Sequence, residues 1–438
     1  MRKLIKSLLP DPFLKFIRPY YHGLVAYIAT LYFGNPSKDL FVIGVTGTAG
    51  KSTTVMMLSH ILNQSGQRTG YITTVGSSDG KNPLINRQGM SMPGGWVLQK
   101  TLHDFALAGC KNVIIECTSE GLAQNRHLGI LFSAALFTNL TPAHLDSHDG
   151  SFDQYRSAKG RLFQALSTSA VIGVNTDDPN FQYFYNFPAR QKFGTTTIQD
   201  RVPQIAAPIF RAQNISVSDK ISFDLEETKF ELNISGAFNV SNALLAIGLA
   251  FYKNISIEQS SQALQSFGTV PGRMETIANQ LNATIIVDYA PEPAAMEASL
   301  AAVRLIEHKR LIHLFGSTGG HRDVAKRFEF GRISARMADI IIITNDDVYE
   351  SDPEEIAKNI QEGISEVDPQ TRKTKQIIVE LDRKTAIQKA ITMLEPGDLL
   401  LLTGKGSEQF LVLPQNKRID WDERQVVQEA LKNLNQSS

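Results

Sequence analysis

Cysteine is almost absent from this chain: Cys110 and Cys117 are the only two among 438 residues. That excludes a disulfide framework and a cysteine-based zinc site, and it fits a reducing compartment such as the cytoplasm. Net charge is absent too. Lys+Arg and Asp+Glu both total 44, which argues against a protein that coats nucleic acid while leaving room for a local basic patch. Long apolar runs are missing. The most apolar N-terminal piece, residues 24–33, is too short to span a bilayer, and no small-residue cleavage pattern follows it, so neither a transmembrane helix nor a signal peptide is expected. There is no internal repeat and no low-complexity segment. What is present is globular in kind, with 42% hydrophobic and 20% charged residues. A chain of this length is too long for one core and predicts two or three domains.

Residues 42–54 read V-I-G-V-T-G-T-A-G-K-S-T-T. A β-rich apolar run stops at a glycine-rich turn, a lysine and three hydroxyl residues follow, and a helical pattern begins. Glycines let backbone close round an anion, the helix N-terminus aims N–H groups at it, Lys51 adds positive charge and Ser52 can hold Mg²⁺. The strict G-x-x-x-x-G-K-[ST] spacing fails, because Val45 stands at the first glycine; T-G-T-x-G-K-[ST]-T remains. The alternative is a glycine-rich turn with no nucleotide. A nucleoside triphosphate is the expected ligand.

Apolar runs at 40–45, 112–116, 134–138 and 170–175 read as buried strands separated by helical stretches. That alternation predicts an α/β fold: a central doubly wound, mostly parallel sheet behind the phosphate loop. Short alternating segments at 221–225 and 229–234 predict a small antiparallel subsheet, followed by helices at 239–252 and 257–267. The V-P-G-R sequence ending at Arg273 marks a boundary, beyond which strands and helices alternate again as a second, Rossmann-like α/β domain. The expected organisation is an N-terminal helical segment at 1–39, an ATP-binding domain at 40–269 and a C-terminal domain at 270–438. In the first 33 residues Arg2, Lys3, Lys6, Lys15 and Arg18 lie among apolar and aromatic residues. Two readings stand: a pair of helices packed on the body, or a basic, aromatic surface helix in peripheral contact with a membrane.

Other residues past strand ends carry chemistry. Glu116 closes a strand in the domain of the loop, where a carboxylate can hold Mg²⁺. His144 and Asp146 follow another strand; His144 alone reads as an ordinary loop histidine, and beside Glu116 and the loop it reads as part of the site. Lys159, in Y-R-S-A-K, offers a lysine on a helix, either a solvated surface lysine or a site residue. A bare ammonium repels metal.

In this order the motifs resemble the Mur ligase family, most closely its MurE-type members. The matching segments are T-G-T-A-G-K-S-T from Thr46, E-C-T-S-E-G-L from Glu116, T-N-L-T-P-A-H-L-D ending at Asp146 and Y-R-S-A-K ending at Lys159. Then come N-T-D-D-P from Asn175, G-A-F-N-V-S-N-A from Gly236, P-G-R-M-E ending at Glu275, V-D-Y-A from Val287, L-F-G-S-T-G-G-H-R-D from Leu314 and T-G-K-G-S-E ending at Glu408. The resemblance implies a cytoplasmic, magnesium-dependent ligase of peptidoglycan biosynthesis that forms an amide through an acyl phosphate. It implies ATP phosphates on Thr46, Gly47, Thr48, Gly50, Lys51, Ser52 and Thr53, and Mg²⁺ on Ser52, Glu116, His144 and Lys159. Lys159 matches the lysine the family carbamylates, which turns the ammonium into an anion. Lys51, Glu116, His144 and Lys159 would form the catalytic set. Asn239 matches an adenine contact, Arg273 and Asp288 match interdomain positions near the nucleotide, and Ser119 and Arg126 match contacts to the sugar-peptide. Gly404 and Glu408 match positions that hold the incoming amino acid. The implied partners are a muramoyl-peptide precursor and an amino acid, with no nucleic acid, and a monomer is expected.

Three departures stand out. Only 39 residues precede Leu40, too few for the family's uridine-nucleotide domain, so how the carrier group is recognised stays open and a lipid-linked acceptor enters consideration. Where diaminopimelate-adding members carry D-N-P-R, this chain has D-D-V-Y at 346–349, without an arginine for a distal carboxylate. Asp346, Asp347, Glu350 and Asp352 instead suit a distal ammonium, so lysine is expected to be preferred over meso-diaminopimelate; a solvated acidic loop is the other reading. Pro291 and Glu120 replace family histidines, and neither is a metal ligand or part of the loop. The alternatives are another ligase of the superfamily (folate-polyglutamate, cyanophycin or isoglutaminyl-synthase type) and a catalytically inactive nucleotide-binding scaffold. The isoglutaminyl-synthase type carries a four-cysteine zinc insert that two cysteines cannot supply, and retention of the four catalytic candidates speaks against the scaffold.

Overall fold

The computed structural model describes residues 11–437 apart from 87–88, 144, 201–202, 218–219 and 321–323. Eleven strands form one sheet. They are β1 (Phe41–Thr46), β2 (Thr69–Ile72), β3 (Gly76–Ser78), β4 (Pro83–Ile85), β5 (Asn112–Glu116), β6 (Phe132–Phe137), β7 (Leu166–Asn175), β8 (Gln191–Thr196), β9 (Ile209–Val217), β10 (Ile221–Leu225) and β11 (Thr228–Leu232). Their spatial order is β11-β10-β9-β8-β7-β6-β1-β5-β2-β3-β4. The middle of the sheet is parallel, while β9-β10-β11 and β2-β3-β4 are antiparallel ends. β1 is buried along nearly its whole length, as a strand covered on both faces requires. One core packs the helices Lys51–Gln64 and Phe238–Tyr252 on the first face, and a second, around Phe105, Phe132 and Phe163, fills the other.

A second sheet takes β12 (Glu275–Thr276), β13 (Thr284–Val287), β14 (Leu311–Phe315), β15 (Ile340–Ile343), β16 (Gln376–Val379) and β17 (Leu399–Leu402) in the order β12-β13-β17-β14-β15-β16. It is parallel except for β12. Its centre is written in runs of one residue type, I-I-I-I in β15 and L-L-L-L in β17, buried at every position. Two of its helices begin at polar caps. Asp352 accepts from the Glu354 amide ahead of Pro353–Ser365, and Asp382 accepts from the Thr385 amide ahead of Arg383–Thr392. A hairpin of β18 (Phe410–Leu413) and β19 (Lys417–Asp420) follows.

The fold matches the expected α/β architecture of a mostly parallel sheet with antiparallel strands and a second sheet. At the N-terminus the described residues form a continuous helix, Asp11–Tyr32, with Pro19 inside it; the rest of the expected helical segment, residues 1–10, lies outside the described residues. Strands β2–β4, the β18–β19 hairpin and the helix Ala325–Met337 were not anticipated. They are short, edge-placed or polar, so local pattern does not mark them.

The second sheet is locked by a buried ion pair. Arg383 Nε lies 3.1 and 3.0 Å from the two Glu423 oxygens, its Nη1 donates to Asn345 O at 3.0 Å, and Trp421 Nε1 donates to Glu423 at 2.8 Å. Both side chains are buried. Glu423→Ala leaves the guanidinium without its carboxylate and is expected to cost about 3–5 kcal/mol. A urea midpoint unchanged from wild type would contradict this.

Candidate functional site

The phosphate loop sits where three parallel strands end side by side. Val45 of β1 is opposite Glu116 of β5, and Thr46 is opposite Phe137 of β6. The crevice at the carboxyl ends of strands on either side of the first strand is where α/β sheets bind ligands. Gly47 has φ +150° and Gly50 φ +80°. A Cβ on Gly47 would lie 1.9 Å from Thr138 Oγ1, and one on Gly50 2.2 Å from Asn242 Oδ1, so the loop's path requires both glycines. The loop is tied to the segment after β6: Thr48 N donates to Asn139 O at 2.8 Å, Ala49 N to Asn139 Oδ1 at 2.9 Å, and Thr138 Oγ1 to Ala49 O at 2.7 Å. No side chain caps the first amides of the helix Lys51–Gln64, so they face the crevice as an anion-binding end.

Glu116 is the hub. Its Oε2 accepts from Ser52 Oγ at 2.7 Å and from Thr74 N at 2.9 Å, and its Oε1 accepts from Thr74 Oγ1 at 3.0 Å. Thr74 Oγ1 in turn meets Ser91 Oγ at 2.6 Å. Lys51 Nζ lies 4.0 Å from Glu116 Oε1 and donates to Gly47 O and Thr48 O at 3.1 and 2.9 Å. Burial holds the Lys51 ammonium below its ordinary basicity, with Glu116 opposing the effect. Sequence did not single out Thr74 or Ser91: hydroxyls on short loops carry no local signal of a partner 42 residues away.

Lys159 is buried on the helix Phe152–Gln164. Its Nζ donates to Gly47 O at 2.7 Å and lies 4.4 Å from the centre of the Tyr155 ring, whose hydroxyl is 3.0 Å from Thr48 Oγ1. Burial and then the neighbouring Lys51 push its basicity well down. Among the described residues no carboxylate lies within ion-pair distance of it. The surface-lysine reading is therefore excluded.

These groups line a cleft of about 410 Å³ that also takes in Gly47, Thr48, Gly50, Ser52, Thr53, Ser119, Asn239, Arg273 and Asp288. Arg273 lies 4.3 Å from the Tyr289 ring centre. Asp288 spends its carboxylate on the amide of Met274, at 3.1 Å, and on the Ser299 hydroxyl. Asn239 donates to Ser235 O at 2.7 Å and accepts from Asn242 Nδ2 at 2.8 Å.

A second cluster gathers Asp346, Asp347, Gly404 and Glu408 at the carboxyl ends of β15 and β17. Its centre is Lys405, which sequence reading passed over: its Nζ is 2.8 Å from Asp347 Oδ1, 2.7 Å from Glu408 Oε2 and 3.8 Å from Asp346 Oδ1. Burial pushes Asp347 and Glu408 above the usual carboxylate range, Asp346 adds to the effect on both, and Lys405 only partly opposes it. Burial alone would raise Asp346 as well, yet Lys405 and Arg383 hold it low. The solvated acidic loop, the other reading of these residues, is not there. Asp346 and Asp347 are buried, Asp352 caps a helix and Glu350 accepts from Asn416. Arg383 is committed to Glu423.

Two expected residues stand apart from the cleft and from the Lys405 cluster. Thr46 points its hydroxyl at Cys117 O, 2.9 Å away, and staples β1 to the strand end rather than lining the crevice. Arg126 donates to Met92 O at 2.7 Å and to Gln124. His144 lies outside the described residues.

Comparison with known proteins agrees with this geometry. The Mur ligase middle domain matches residues 45–250, and the Mur ligase glutamate ligase domain matches residues 272–406. The UDP-N-acetylmuramoyl-L-alanyl-D-glutamate–2,6-diaminopimelate ligase of Aquifex aeolicus is 34% identical over 400 residues, 91% of this chain and 79% of that protein. The UDP-N-acetylmuramyl-tripeptide synthetase of a Roseiflexus species is 33% identical over 94% of this chain and 82% of its own. The MurF ligase of Thermotoga maritima, solved in complex with ADP, shares the fold at a TM-score of 0.66 and 17% identity, over 94% of this chain and 85% of that one. With both domains matched in order and relatives a third identical along nearly the whole sequence, the chain belongs to the Mur ligase family.

Proposed function

We propose that this protein is an ATP-dependent ligase that joins an amino acid to a carboxylate of a muramoyl-peptide precursor of peptidoglycan, in the cytoplasm where ATP is available. The observation that carries this is the convergence of Lys51, the Glu116–Ser52 pair and Lys159 on one phosphate loop, in a cleft whose other wall bears Arg273. The names of the relatives supply the substrate class. We propose further that residues 40–269 and 270–438 act as two domains enclosing the reaction.

The chemistry follows from charge. A substrate carboxylate oxygen attacks the γ-phosphorus of ATP and ADP leaves. The amine then attacks the acyl carbon and phosphate leaves. Negative charge gathers on the transferred phosphoryl group, so cations and amides must surround it. Lys51 and the first amides of its helix meet the phosphates. Arg273 faces the same space. The donors Ser52 Oγ and Glu116 Oε2, 2.7 Å apart, suit a hard divalent cation. Bound there, Mg²⁺ would supply further positive charge against the phosphates. A bare Lys159 ammonium does not fit a cation site, and a carbamate on its nitrogen, as in the family, would. The carboxylate-rich cluster around Lys405 holds three carboxylates against one ammonium, which favours an incoming amine.

ATP turnover is expected only when both an acceptor and an amine are present, read as phosphate release across UDP-muramoyl peptides and amino acids. Robust release without any acceptor contradicts an acyl-phosphate route. Lys51→Ala removes the cation at the point of charge build-up and should lower kcat on the order of 10²-fold or more; near-normal turnover would sink the nucleotide assignment. Lys159→Ala should be inactive and regain part of its activity with a short-chain carboxylate in the buffer. A fully active alanine variant removes Lys159 from the chemistry.

A further inference from the structure

The helix Asp11–Tyr32 is built inside out. Its small residues face the protein: Gly23, Ala26, Ala29 and Thr30 are buried, and Ala26 lies so close to the helix Gly95–Leu107 that a Cβ on Gly95 would be 2.3 Å from its own. Its large residues face outward. Tyr21, Leu24, Tyr27, Ile28, Leu31 and Tyr32 are all exposed, with Leu31 at 65% and Tyr32 at 72%. At roughly 100° per residue these six positions fall within an arc of about 140°. Trp96 extends the same face, its ring centre 5.3 Å from that of Tyr32, and Val97 beside it is exposed. A surface helix normally turns such a stripe to the core. A contiguous apolar face of this kind marks a docking surface.

Charge identifies the occupant. In residues 1–39 the sequence holds Arg2, Lys3, Lys6, Lys15, Arg18 and Lys38 against two acids, Asp11 and Asp39, in a chain whose overall charge is zero. Arg18 and Lys38 are exposed and flank the stripe in sequence. Tyrosines and a tryptophan on an apolar face with basic flanks suit the headgroup level of a bilayer. No helix among the described residues is long and apolar enough to cross a membrane, so the helix would lie along the surface. We infer that this face docks on an anionic lipid bilayer, with the aromatic stripe in the interface and the basic residues on the headgroups. The inference is independent of the ligase reading.

The test is co-sedimentation of the full chain with phosphatidylcholine vesicles, neutral or containing about 30% phosphatidylglycerol. Binding to the anionic vesicles is expected, weakened by salt. Leu24→Ser/Tyr27→Ser/Leu31→Ser alters only exposed positions and should lower the partition coefficient about tenfold or more, because each loses buried apolar area. Arg18→Glu/Lys38→Glu should weaken binding to anionic vesicles only. On the unaltered protein, the emission of Trp96, 40% exposed against 9% for Trp421, should shift to the blue when anionic vesicles are added. This shift and the charge variant decide the matter even if the triple variant folds poorly. No sedimentation with anionic vesicles, equal binding to neutral ones, or no blue shift overturns the inference. So does a wild-type dimer that the triple variant converts to a monomer, which would make the stripe a contact between copies.

Discussion

The site depends on the three hydrogen bonds to the Glu116 carboxylate. Ser52 brings the first turn of the phosphate-binding helix, and Thr74 brings the segment after β2, by amide and by hydroxyl. Each charge-assisted bond in such a dry setting is worth about 1.5–3 kcal/mol. Without them a carboxylate this deeply buried would be costly. The anchor works only because the β1–β5 register sets Val45 beside Glu116. A slip of one residue would turn Glu116 to the opposite face of the sheet and its apolar neighbours with it. Core packing and catalytic geometry are therefore one constraint, met by the same strand.

How far this was legible in the sequence depends on the reach of each contact. β5 and β10 fall where the apolar pattern put them, at Asn112–Glu116 and Ile221–Leu225, because buried runs bounded by glycine and charge are local features. The phosphate loop is local as well. Thr74 was invisible because nothing near it announces a carboxylate. Lys405 was invisible for a related reason. It sits inside a motif segment that sequence did flag, but its partners Asp346 and Asp347 are 59 and 58 positions away. Read alone, those two aspartates look like a solvated acidic loop; only the pairing of β14 with both β15 and β17 shows that the strand ends bury them together.

Buried charge in the second sheet is arranged in two ways. Arg383 and Glu423 pair directly, with backbone carbonyls and the Trp421 indole completing the set, and Arg383 also helps hold Asp346 low. That is a structural arrangement and leaves nothing for a ligand. Around Lys405 the balance is uneven: one ammonium faces three carboxylates, and two of them hold their protons more tightly than usual. Like charges crowded in low dielectric are relieved by a further proton or cation. Two clusters lie close together in the same sheet, and only the unbalanced one has something to gain from an incoming amine.

The inverted helix at the N-terminus is mounted on the catalytic domain through contacts that lead inward. Asn125 Nδ2 donates to Pro19 O at 3.3 Å, and Asn125 Oδ1 accepts from Arg161 Nη1 at 3.1 Å. Arg161 also donates to Ala123 O at 2.9 Å and sits on the helix that carries Lys159. Asn125 has φ +56°, a left-handed conformation that asparagine tolerates better than most residues and that turns its amide toward both partners. Small residues on the inner face let the helix lie close to the body. A surface held this way fixes the orientation of what it binds relative to the segment 119–126, where Ser119 lines the cleft. Large side chains facing outward give up burial on folding, while Ala26 and Ala29 are buried at close approach to the body and Phe33, just past the helix, packs on Trp96 and His103.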